Sequence, residues 1–333
     1  MANSTSRRRF LWALGALGAG TALSSYALAE TPELASATRT GKALGAEVAM
    51  TALHADKAVA QKAVDAAFDE LAAVEGLMSL YRPDSAICTL NRTGRLADPH
   101  PYLVEVLRKS QHISQLSDGA FDITVQPLWQ LYAEAKKQGK LPDESAIAAA
   151  RARVDYRRVE ISERLVRFKS GGMAITLNAI AQGYAADRAI AAMRKLGIEH
   201  ALVNTGEIGT IGRRADGKPW SVGIQHPRRS DAYIALASLD GRCMATSGDY
   251  ATSFTSDFLY NHIFDPATGR SPREVCSVSV VADSGADADA LATAVFVLGR
   301  EKGLRLIERL ARTEAMLVFK DGRAIATRGF PTG

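Results

Sequence analysis

The spacing of apolar residues changes part-way along this chain, and that change limits the folds open to it. Val59, Ala63, Ala67, Leu71, Val74 and Met78 recur at intervals of three and four, which puts them on one face of a long helix. Pro101 to Leu116 is amphipathic and ends at Asp118-Gly119, and Ile123 to Gln138 and Asp143 to Val154 read as further helices. A helix from Asn178 to Leu196 closes at Gly197. Beyond it come short apolar runs divided by Gly, Pro and Asp: Ala201–Asn204, Ile208–Ile211, Trp220–Ile224, Tyr233–Leu239, Cys243–Ser247, Phe258–Phe264 and Val278–Ala282. Earlier strands are predicted at Leu44–Leu53, Val159–Ile161, Leu165–Phe168 and Ala174–Leu177. Two helices, Asp287–Leu298 and Glu301–Ala311, and a hairpin turning at Asp321-Gly322 complete the pattern. Helices early and strands late predict an α+β fold with a mainly antiparallel sheet.

The first 29 residues have a different character. Arg7, Arg8 and Arg9 precede Phe10-Leu11 and a small-residue apolar run to about Leu23, and Ala27-Leu28-Ala29 supplies the small residues of a cleavage site. Gly15, Gly18, Gly20, Thr21, Ser24 and Ser25 dilute the run too far for a membrane anchor. The paired arginines resemble a twin-arginine signal, so the mature protein is expected to begin after Ala29, to be periplasmic, and to make no stable membrane insertion. Residues 30–43 are expected to be a flexible start, and 44–333 one domain. The formal charge is +5, but without the three leader arginines 38 basic residues face 36 acidic ones, which is no argument for nucleic acid. Cys88, Cys243 and Cys276 lack metal-ligand spacing and allow one disulfide at most; buried unpaired thiols are expected.

Several residues carry candidate chemistry. Asp289 and Thr293, four apart on a predicted helix, project from one face; a carboxylate with a hydroxyl suits Mg²⁺, or else Asp289 caps the helix and Thr293 packs. His262, in a His-x-x-Asp-Pro turn, could take a proton or stabilise phosphate charge, or simply bond a neighbouring backbone. Tyr81 and Phe121 could flank a flat ring or belong to the core. Asp122 precedes Ile123 at a helix start, where capping competes with ligand contact.

In order along the chain stand Met78–Ser85, Gly119–Leu128, Leu177–Asp187, Ala245-Thr246-Ser247-Gly248-Asp249-Tyr250, His262-Ile263-Phe264-Asp265-Pro266-Ala267-Thr268-Gly269 and Ala288–Ala294. Together they resemble the ApbE family, the FAD:protein FMN transferases, over about Leu44 to Thr327. The resemblance implies a fold related to the tunnelling fold. It also implies Mg²⁺-dependent cleavage of FAD, with FMN attached through its phosphate to a threonine of a partner and AMP released. By resemblance the Ala179 carbonyl joins Asp289 and Thr293 at the metal, and flavin nucleotide contacts fall on Leu44, Tyr81, Ala120, Phe121, Asp122, Thr176, Gln182 and Phe264. The implied partner is an acceptor with an FMN-binding domain, membrane-anchored and facing the periplasm. The chain looks closest to the exported NosX-type branch, linked to nitrous oxide reduction. Family members usually carry Asp at the position of Thr176, Lys or Glu at that of Gln182, and Gly-Gly-Glu where this chain has Thr205-Gly206-Glu207. Losing a carboxylate and a charge from a nucleotide pocket is expected to weaken FAD binding or alter its exchange. The alternatives are an FAD pyrophosphatase and a non-catalytic FAD-binding maturation factor.

Overall fold

The computed structural model describes residues 34–332; the expected leader and cleavage site lie outside the described residues. Eight strands form the main sheet, in the order β1 (Ala35–Ala43), β2 (Ala46–His54), β6 (His200–Asn204), β7 (Ile208–Ile211), β10 (Cys243–Gly248), β11 (Val275–Ala282), β12 (Glu314–Phe319) and β13 (Ala324–Ala326). Every pairing in it is antiparallel. β11 is buried along its whole length, as expected of an apolar central strand covered on both faces.

Three helices cover one face of this sheet: α1 (Lys57–Met78), α6 (Ala181–Lys195) and α7 (Gly285–Ile307). The predicted stripe of α1 is the buried one, from Ala63 through Ala67, Leu71 and Val74 to Met78. Asp56 caps that helix by accepting the Ala58 N–H at 2.7 Å. The opposite face is covered by a separate hairpin, β8 (Trp220–Gln225) and β9 (Tyr233–Leu239), whose Val222, Ile224, Ala237 and Leu239 pack on Ile208, Met244, Val281 and Met316. The remaining helices, α2 (Ala86–Thr93), α3 (Pro101–Leu116), α4 (Gln126–Lys137) and α5 (Glu144–Arg151), lie in the early part of the chain. A small sheet of β3 (Arg95–Ala97), β5 (Leu165–Phe168) and β4 (Val159–Ile161) joins them. No helix among the described residues is long and apolar enough to cross a membrane.

The structure corrects five readings. The start expected to be flexible forms β1 from Ala35 onward, an edge strand whose polar residues face solvent while Ala37 and Ala43 are buried. The strand expected from Leu44 begins at Ala46, because Leu44 (φ 50°) and Gly45 (φ 77°) are the two central residues of the β1–β2 turn. Positive φ at both matches the right-handed strand twist, and Leu44 adopts it without being glycine. The helix expected from Ile123 opens as a 3-10 turn, Ile123–Val125, before α4. Ala174–Leu177 is extended but joins no sheet; Asn91 holds it by donating to the Ile175 carbonyl (2.8 Å) and accepting its N–H (2.7 Å). Phe258–Phe264 is irregular, with one bridge at Asn261. The two helices expected near the end are continuous except at Gly299, whose φ of 71° breaks the helical path. All three cysteines are free, Cys243 and Cys276 buried and Cys88 half-buried.

Candidate active site

The N-terminal turns of α6 and α7 meet back to back. Gly183 and Gly285 make the contact: a Cβ on Gly183 would lie 2.1 Å from the Gly285 carbonyl oxygen, and one on Gly285 would lie 2.4 Å from the Gly183 oxygen. Only glycine allows two backbones this close. Each helix then offers a carboxylate to the other. The Gly183 N–H donates to Asp289 Oδ2 at 3.1 Å, and the Gly285 and Ala286 N–H groups donate to Asp187 at 2.6 and 3.0 Å. Helix N-termini leave such N–H groups without partners in the helix, and an anion there is favoured by the dipole as well. Asp187 also accepts the Ser284 hydroxyl at 2.8 Å.

Asp289 is 5% exposed, and burial holds its carboxyl above the usual carboxylate range, opposed by the Gly183 N–H and assisted by the charge of Asp187. Among the described residues it forms no ion pair. Thr293, one turn on, is hydrogen-bonded to the Ser247 hydroxyl at 2.8 Å, which ties α7 to the end of β10. Because the Gly183 N–H goes to Asp289, α6 begins at Ala181, three residues later than the sequence suggests, and the Ala179 carbonyl stays outside the helix. Among the described residues no three His, Cys, Asp or Glu side chains gather as a metal cage. A buried carboxylate one helical turn from a hydroxyl nevertheless fits Mg²⁺, which takes one or two protein carboxylates and completes its shell with water and phosphate oxygens.

Leu44, Tyr81 and Gln182 are brought together. The Leu44 N–H donates to Glu75 Oε1 at 2.7 Å, its carbonyl accepts the Gln182 amide at 3.4 Å, and the Tyr81 ring lies over Gly45. Tyr81 is 70% exposed, so packing does not explain its place. Gln182 also lies against Gly206, and its carbonyl accepts the Thr205 hydroxyl at 2.7 Å. Ala120, Phe121 and Asp122 form a second group, joined to Thr176 through its N–H to the Ile123 carbonyl (2.8 Å). Phe121 is core. Both Asp122 oxygens are engaged, Oδ1 by the Thr124 N–H and hydroxyl and Oδ2 by the Tyr156 N–H, so capping is what this carboxylate does here. The Thr176 hydroxyl accepts the Asn178 N–H at 3.2 Å.

His262 and Phe264 lie on the irregular segment after β10. Phe264 packs on Tyr132 and Phe254, with ring centroids 5.0 and 6.1 Å away. The half-buried His262 ring meets the Thr252 carbonyl through Nδ1 at 3.1 Å. A carbonyl only accepts, so the proton sits on Nδ1 and Nε2 carries the lone pair. Burial lowers its pKa, with the Thr252 bond and the charge of Asp249 opposing, so the ring is neutral near pH 7 and able to accept a proton.

The sequence profile of the ApbE family matches residues 44–317, which is most of the chain and every group just described. The chain belongs to the ApbE family. It is 31% identical over 329 residues to an FAD:protein FMN transferase of Klebsiella pneumoniae, with 93% of each chain covered. A second FAD:protein FMN transferase, from Treponema pallidum, is 32% identical over 291 residues, 80% of each chain. The ApbE protein of Thermotoga maritima superposes with a TM-score of 0.80 at 26% identity, covering 88% of this chain and 97% of the other.

Within this ApbE chain, Asp187, Glu75 and Ser247 were not among the candidate residues from the sequence; they bond the first turn of α7, the Leu44 N–H and the Thr293 hydroxyl. A signal for the first was present. Gly183 to Asp187 and Gly285 to Asp289 repeat the same Gly-x-x-x-Asp spacing, and each Asp serves the other's glycine.

Proposed function

We propose that this ApbE chain is an FAD:protein FMN transferase that moves FMN, through its phosphate, to a threonine of an acceptor protein and releases AMP. The observation that carries this reading is the buried Asp289 carboxylate at the junction of α6 and α7, held by the Gly183 N–H and one helical turn from Thr293. Asp289, Thr293 and the Ala179 carbonyl would hold Mg²⁺, which when bound withdraws charge from the pyrophosphate. The turn at Leu44, the exposed Tyr81 ring and Gln182 would receive the flavin nucleotide. His262 Nε2 would take the proton from the threonine hydroxyl as its oxygen bonds to the FMN phosphorus and the phosphorus–oxygen bond to AMP breaks. The acceptor would be a membrane-anchored redox protein with an FMN-binding domain, reached in the periplasm through the twin-arginine leader.

Incubation with FAD, Mg²⁺ and an acceptor domain tests the reading. Covalent FMN on the acceptor supports it, free FMN with AMP marks a pyrophosphatase, and unaltered bound FAD marks a carrier. Asp289→Asn should lower transfer on the order of a thousandfold while FAD still binds, because the ring contacts lie on other elements. Replacing Arg7 and Arg8 by Lys should block export without altering the fold, since Lys lacks the paired guanidinium geometry.

A further inference from the structure

Asp187 stands one turn beyond Gly183 on α6 and is given no part in holding the metal or the nucleotide above, yet the first turn of α7 hangs from it. We propose that Asp187 is the positioning residue of the divalent-cation site: by clamping the start of α7 against α6 it fixes where Asp289 and Thr293 stand relative to the first turn of α6. The inference rests on the reading of Asp289 as a metal ligand.

The clamp has three bonds. Asp187 Oδ1 accepts the Gly285 N–H at 2.6 Å, and Oδ2 accepts the Ala286 N–H at 3.0 Å and the Ser284 hydroxyl at 2.8 Å. The same Ser284 oxygen accepts the Asp287 N–H at 3.3 Å, so the hydroxyl relays the hold to a further N–H of α7. In return the Gly183 N–H donates to Asp289 Oδ2. The glycine contact removes slack, because neither backbone can advance on the other. A metal site tolerates displacements of only about half an ångström, and residues that orient the ligands are worth about ten- to a hundredfold in metal affinity. An asparagine at 187 keeps the size but presents a donor NH₂ where one oxygen stood. The Ser284 hydroxyl can rotate to accept from it, but the Ala286 N–H cannot, so the first turn of α7 must withdraw.

Binding of Mn²⁺ alone, read from the free-ion EPR signal, tests this on wild type, Asp187→Asn, Ser284→Ala and Asp289→Asn, with FAD affinity measured in parallel by flavin fluorescence. Asp187→Asn should weaken Mn²⁺ about tenfold or more while FAD affinity stays within about twofold, and excess metal should restore most of kcat. Ser284→Ala, which removes one of the three bonds, should weaken Mn²⁺ about threefold, and it decides the matter if Asp187→Asn does not fold. Wild-type Mn²⁺ affinity in both variants, with binding lost in Asp289→Asn, overturns the positioning role and leaves the ligand assignment standing. Wild-type affinity in Asp289→Asn overturns the assignment itself, and the positioning role falls with it.

Discussion

Arg228 grips Asp249 through two parallel bonds, Nη1 to Oδ1 at 2.6 Å and Nη2 to Oδ2 at 2.8 Å. Arg228 comes from the turn between β8 and β9, and Asp249 directly follows β10, so the pair fastens the small hairpin to the segment that leads to His262. Lys320 adds a second cation 3.4 Å from Oδ2, and the guanidinium lies 4.3 Å over the Phe258 ring. Asp249 is fully buried, with these two cations as its ion-pair partners. Arg228→Ala removes the two-bond fork but leaves Lys320 beside Asp249, so it should cost about 2 kcal/mol, the scale for hydrogen bonds to a charged group, read as a lower urea midpoint. Arg228→Lys should recover only part of it, because a single ammonium cannot reproduce the fork.

Asp122 predicts a dependence of stability on pH. Burial pushes its carboxyl up to about 6, against bonds from Thr124 and Tyr156 that pull it down. A carboxyl raised in the folded state is protonated more readily there than in the unfolded chain. Its contribution is fully present below about pH 4 and is lost as pH rises through about 6, up to about 3 kcal/mol in total. Asp122→Asn should flatten that part of the profile of unfolding free energy, and an unchanged slope between pH 4 and 6 would refute the assignment.

Tyr81 should separate binding from stability. Its ring is exposed, so Tyr81→Ala should shift unfolding by no more than about 0.5 kcal/mol. Loss of a stacking ring should weaken FAD by about three- to tenfold, and Tyr81→Phe should restore it. Equilibrium titration of FAD fluorescence reads the affinities, and the urea midpoint reads the stability.

Phe264 should behave in the opposite way. It is 3% exposed and wedged among Tyr132, Phe254 and the α4–α5 pair. Phe264→Ala should cost about 3–5 kcal/mol through the cavity it leaves, and Phe264→Leu considerably less. If Phe264→Ala weakens FAD while thermal unfolding is unchanged, the ring is a ligand contact and not part of the core.

Elements whose stabilising face is written in their own residues were legible in advance. The stripe of α1, the strand Tyr233–Leu239 and the break near Gly299 are local patterns, and each stands where the sequence puts it. β1 was not legible, because an edge strand with one solvated face spells Thr38-Arg39-Thr40 and reads as a polar tail. The start of α6 was missed for a different reason: Asn178–Ile180 have no helix-breaking residue, and a carboxylate 106 positions away takes the N–H that would have extended the helix. At the site the residue types for metal chemistry were visible in Asp289 and Thr293. The group that holds them, Asp187, looked like one more helical carboxylate, since its partners exist only once α7 is docked.

The exchange of carboxylates between α6 and α7 also sets an order of events in the making of the chain. The two bonds that matter span 98 and 106 residues. At about 5–20 residues per second, α6 leaves the ribosome on the order of ten seconds before its partner exists. For that interval the Gly183 N–H and the Asp187 carboxylate lack their partners on α7 and are left to water, so the nascent sheet gains α1 early and its α6–α7 corner late. Translation speed between Gly183 and Asp289 thus governs how long the seam between the two helices stays open to water and to other chains.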